Sequence, residues 1–129
     1  MVIAIIPAMK PTNRTAFMTC RVDMKFPVGV VDSAVRLLLS VVGRTESKAG
    51  CKACNISRDA VESDRLHYSE EWDSEPAFQR HVHSEEFGRV LVAMDMCGEE
   101  PQVTIGNLSG HSGIAYLQAI REKPAAGGV

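Results

Sequence analysis

At 129 residues, with 45% hydrophobic and 23% charged residues and a net charge of −2, the chain has the size and composition of one globular domain. The charge balance excludes a phosphate-backbone footprint, which needs an excess of Lys and Arg, and no apolar run approaches the roughly 18 residues of a membrane span. The stretch from Met1 to Ile6 lacks the basic start and apolar length of a secretory signal, so a cytoplasmic location is expected.

Residues 1–14 read as an appendage, because Pro7 and Pro11 interrupt any regular element. Thr15 to Met24 alternates as a strand, with Met18, Cys20, Val22 and Met24 on one face and Thr19, Arg21 and Asp23 on the other. Apolar residues at helical spacing follow from Val30 to Val42, with Asp32 or Ser33 as the expected cap and Gly43 as the expected end. Two strands come next, Cys51 to Arg58 and Arg65 to Trp72, joined by a turn rich in Asp and Ser. Asp73-Ser74-Glu75-Pro76 then carries a strong helix start, and Ser84-Glu85-Glu86 starts a second helical segment. Gln102 to Leu108 reads as the last strand and Ser109 to Gly113 as a loop. A short helix through Ile114, Leu117 and Ile120 precedes a tail expected to be disordered.

This order predicts an α+β fold, the ferredoxin-like β-α-β-β-α-β subunit, with a four-stranded antiparallel sheet and its helices on one face. Apolar residues are assigned to both sheet faces, so the uncovered face is expected to pair with a second copy of the chain. Cys51 and Cys54 form a C-x-x-C, but residues three apart on a strand point to opposite faces. The cysteines are therefore read as packing, and no metal site is predicted.

Three local patterns carry a family resemblance. Gly50-Cys51 opens a strand after a polar loop. Glu70-Glu71-Trp72 closes the next strand with a Glu-x-Trp, and Ala77-Phe78-x-x-His81 followed by Ser84-x-x-Phe87 comes after the tryptophan. The chain from about Met18 to Leu108 thereby resembles the antibiotic biosynthesis monooxygenase family, whose subunits form dimeric α/β barrels. The domain is placed at residues 15–109, with residues 110–129 as a C-terminal extension. The resemblance implies oxygenation of a small phenolic or quinol-type compound with no cofactor and molecular oxygen as co-substrate. It departs from the family at Glu86, where many members have a histidine, and at Cys54, where a tyrosine is frequent.

Strand alternation places Leu66, Tyr68, Glu70 and Trp72 on one face, and His81 on the following helix is expected to reach Glu70 or Trp72. A carboxylate beside an imidazole fixes its tautomer and suits it to proton transfer near neutral pH. The catalytic candidates are His81 and Glu70, and the substrate-binding candidates are Trp72, Tyr68, Leu66 and Phe78. His83 lies two residues from His81 and off its helix face, and His67 is assigned to the opposite sheet face, near Arg21, Asn55 or Glu71. Two alternatives remain. One is a non-catalytic dimeric binding or interaction protein on the same fold. The other is a haem-degrading monooxygenase, whose first-strand asparagine has no counterpart in Thr15–Met24.

Overall fold

The computed structural model describes residues 18–106, 108–109 and 111–123. Its elements are β1 (Met18–Lys25), α1 (Val31–Glu46), β2 (Cys51–Arg58), β3 (Arg65–Trp72), α2 (Glu75–Val82), α3 (Glu85–Asp95), β4 (Gln102–Ile105), β5 (Leu108–Ser109) and α4 (His111–Glu122). The sheet order is β2-β3-β1-β4-β5 with every pair antiparallel. Its first four strands give the predicted ferredoxin-like arrangement, and β5 is a two-residue addition at the edge. None of the described helices is long and apolar enough to cross a membrane.

One sheet face is the floor of the core. Cys20, Val22 and Met24 on β1 lie beside Leu66, Tyr68, Glu70 and Trp72 on β3, and Val103 and Ile105 on β4 continue the same face. Ala34, Leu38 and Val41 of α1, Phe78 and Val82 of α2, Phe87 and Val90 of α3, and Leu117 of α4 complete the buried cluster. Helix α4 can approach closely because Gly113 has no side chain: a Cβ there would stand 2.6 Å from the Val103 carbonyl oxygen.

The other face differs from the sequence expectation. It carries Thr19, Arg21 and Asp23 on β1, Asn55 and Ser57 on β2, and His67, Ser69 and Glu71 on β3, with Thr104 on β4. Strict alternation sends nearly all apolar residues to the helix side, so this antiparallel sheet faces outward with polar groups. Among the described residues, this face offers no apolar patch on which to pair two sheets.

Local signals succeeded where a side chain caps a backbone end. Ser74 Oγ accepts from Ala77 N at 3.2 Å, and Ser84 Oγ accepts from Phe87 N at 3.2 Å. They failed at α1, whose cap position is Val30 without a side-chain bond and which runs through Gly43 to Glu46. Gly43 lies on an exposed turn, where the ~1 kcal/mol penalty of a helical glycine is tolerated. The last strand also stops early: the chain turns at Gly106, and α4 starts at His111, inside the expected loop. The expected appendage and the tail from 124 onward lie outside the described residues.

Candidate active site

Four consecutive inward positions of β3 build the centre. Glu70 is fully buried and accepts three hydrogen bonds. The Tyr68 hydroxyl donates to Oε2 at 2.6 Å, and the Trp72 indole N–H donates to Oε1 at 2.9 Å. From α2, His81 Nε2 lies 2.9 Å from Oε2, with both side chains fully enclosed. A carboxylate removed from water persists only when hydrogen-bonded in this way. Burial, followed by the Glu70 charge, pushes Tyr68 upward, so its hydroxyl keeps its proton and remains a donor. The Trp72 and His81 rings sit 4.8 Å apart, tilted by 33°, and Phe87 meets the imidazole edge-on at 5.5 Å.

The second imidazole nitrogen faces away from the core. Nδ1 lies 3.0 Å from Lys48 Nζ and 3.4 Å from Ser84 Oγ. Ser84 donates its proton to the His81 carbonyl at 2.6 Å, and an ammonium can only donate. Nδ1 is therefore the acceptor, and the proton resides on Nε2, directed at Glu70. Lys48 is held there by Glu86, at 2.8 Å from Oε1, with Arg44 at 3.8 Å from the same carboxylate. That contact with Lys48 lowers Glu86 below the usual carboxylate range.

A surface opening of about 200 Å³ adjoins this group and is lined by Lys48, Ala49, Trp72, Ala77, Arg80 and His81. Gly50, next to the lining residue Ala49, has φ +89°, and a Cβ there would meet Cβ of Ala77, another lining residue, at 2.8 Å. The carbonyl of Gly50 accepts from Asp73 N at 2.8 Å, tying the start of β2 to the end of β3.

Of the predicted residues, the structure brings His81, Glu70, Trp72 and Tyr68 into one network, and Trp72 and His81 reach the opening. Leu66 and Phe78 are packed in the core and do not line it. Lys48 and Ser84 were missed as partners of His81, and Glu86 as the partner of Lys48. Lys48 is 33 residues away in a loop and carries no local signal. Glu86, a departure from the resemblance at the sequence level, instead pairs with Lys48.

Two further sequence readings need correction. The register shifts between Cys51 and Ala53, so Cys51 stands opposite Trp72 and Cys54 opposite Glu70, both on the helix side. The bulge absorbs one residue of the alternation, and the two thiols do not diverge as expected. Both are free, and burial raises them, Cys54 to about 12, which opposes thiolate chemistry. His67 does lie on the open sheet face, but its partners are Asp23 at Nδ1 and Asp59, 2.8 Å from Nε2. Neither was foreseen; Asp59 sits in the turn after β2, beyond strand-pair reasoning.

The fold defines a ferredoxin-like α+β protein with a buried carboxylate–imidazole pair beneath its helices. Among solved structures it is similar to a conserved protein from Methanosarcina mazei Go1, with 18% identity over 69% of this chain and 89% of that one and a TM-score of 0.63. A protein from Pseudomonas aeruginosa gives 21% identity over 71% and 92%, with a TM-score of 0.63. A third structure, described as an antibiotic biosynthesis monooxygenase, gives 18% over 68% and 94%, with a TM-score of 0.62. No curated protein matches. The antibiotic biosynthesis monooxygenase model matches residues 19–91, more than half of the chain, and the chain belongs to that family.

Proposed function

We propose that the protein is a monooxygenase of small phenolic or quinol-type compounds that uses molecular oxygen and needs no cofactor. The observation carrying this reading is His81, whose Nε2–H is committed to buried Glu70 while the Nδ1 lone pair meets Lys48, which with His81 lines the opening. This is the arrangement of a general base. His81 takes the phenolic proton, and Glu70 stabilises the imidazolium that forms. The resulting electron-rich anion reduces oxygen. A quinol becomes a hydroxyquinone: one oxygen atom enters the ring, the other leaves as water, and all four electrons come from the substrate. The balance requires no external reductant.

An opening of about 200 Å³ suits a single substituted ring, being smaller than the roughly 300–1,000 Å³ of usual ligand sites. A haem macrocycle exceeds it, which favours the single-ring reading over the haem-degrading alternative. The packed interior favours a second reading, a non-catalytic small-molecule binder, because Phe78, Phe87 and Leu66 fill the space between helices and sheet. A homodimer through the sheet face, implied by the family resemblance, would be polar, with Arg21 and Glu71 as opposite charges open to a partner; sedimentation velocity decides it.

Oxygen uptake by metal-stripped protein on substituted hydroquinones separates the two readings. The expected rate exceeds autoxidation and falls roughly a hundredfold or more in His81→Ala. Equal uptake by both proteins removes His81 from the chemistry and leaves the binding reading.

A further inference from the structure

We propose that Lys48 is the substrate-binding cation of this site. It covers His81 in the free protein and holds the oxygen anion of a phenol once His81 has taken its proton, with Glu86 as its positioning residue. The proposal rests on the preceding reading for the ligand being a phenol, and it is independent of the oxygen chemistry.

Three observations converge. First, the His81 side chain is fully enclosed although it stands at the back of the opening, and Lys48 Nζ, 3.0 Å from Nδ1, is the group placed against that nitrogen. A phenol can reach Nδ1 only when the ammonium moves aside. The Lys48 side chain is 28% exposed, which leaves it room to move.

Second, the ammonium is anchored from the other side. Glu86 Oε1 takes one of its donors at 2.8 Å, and the Lys48 backbone N–H bonds to the Thr45 carbonyl at 3.0 Å, fixing the loop. An ammonium carries three donors. Glu86 and His81 use two of them in the free protein. When Lys48 yields Nδ1, the donor it releases is within reach of the oxygen that replaces it.

Third, the charges around the opening favour an anion. Its lining contains Lys48 and Arg80 and no carboxylate. In the proton transfer the phenol O–H bond breaks, its electron pair stays on oxygen, and an N–H bond forms at Nδ1. The products are a phenolate against the Lys48 ammonium and an imidazolium against the Glu70 carboxylate. Each new charge then faces an opposite one already in place, which is how preorganised sites favour such a transfer.

The test uses 4-nitrophenol, whose anion has its own visible absorption, titrated at a pH about one unit below its free pKa. Wild-type protein is expected to bind it as the phenolate. In Lys48→Met the bound phenolate fraction should fall about tenfold, the scale of a lost charge-assisted hydrogen bond, and Lys48→Arg should restore part of it. Glu86→Gln should give an intermediate loss, since it frees the ammonium without removing it. Thermal melts of each variant establish that it is folded. Equal phenolate binding by wild type and folded Lys48→Met overturns the proposal, as does a wild type that binds the neutral phenol or nothing. Lys48-dependent phenolate binding without oxygen uptake supports the proposal and sinks the monooxygenase reading.

Discussion

Strand β3 carries one half of each of two histidine–carboxylate clusters, and they are built on opposite principles. On the helix side, Glu70 and His81 are both fully enclosed, and every donor around the carboxylate is a neighbouring side chain. On the open side, His67 is bracketed by Asp23 and Asp59 with side-chain exposures of 37%, 45% and 25%. The pairings are chemically alike, but the surroundings differ. Water can replace any partner of His67, whereas nothing can replace the partners of Glu70. The enclosed cluster is therefore demanding and specific, and the open one is weak and responsive to pH.

The largest expected effect tests the enclosed side. Glu70→Ala leaves Tyr68, Trp72 and His81 without their acceptor in the core, and urea denaturation should show a loss of about 3–5 kcal/mol. A loss below about 1 kcal/mol would mean that the core reorganises or admits water, and the contrast between the two clusters would collapse. Tyr68→Phe removes one of the three donors and leaves the other two, so a loss of about 1–2 kcal/mol is expected in the same measurement.

The smallest effect belongs to the open side and depends on pH. His67 is raised above its ordinary value, first by the hydrogen bond to Asp59, with a further contribution from Asp23. Its contribution to stability is complete below about pH 6.5 and disappears as pH climbs through the folded value. Asp59 is held low by the backbone N–H of Glu62 and by His67, so its contribution disappears as pH falls through its lowered folded value. Melting curves of His67→Asn and wild type should accordingly differ by only a few degrees in mildly acidic buffer and converge at alkaline pH. In a sheet-face homodimer this cluster would also be covered, and the difference would then grow with protein concentration. A difference as large as that of Glu70→Ala in the monomer would break the comparison.

Much of the fold was legible in the sequence because short-range rules governed it. β2 and β3 follow from alternation, and α2 and α3 begin where Ser74 and Ser84 supply caps. The His81–Glu70–Trp72 grouping was also legible, since strand parity and one helical reach place it. Lys48 and Asp59 were not. Each sits in a connection whose path is set by packing, and each meets its histidine through a contact that no periodicity encodes. The open face was misjudged for a related reason: counting available apolar residues ignores how completely alternation sorts them.

The bulge between Cys51 and Ala53 acts within β2 as an inserted base acts within a reading frame. Everything after it keeps its side of the sheet, and Cys51 before it is moved to the side that strict alternation would deny it. Deleting Lys52 would cancel the insertion. Cys51, Ala53 and Cys54 would then alternate regularly, each on the side of the sheet it already holds, and no residue would change face. The strand thus has a place at which it can lose one residue without moving any other across the sheet, and it lies directly beside Trp72.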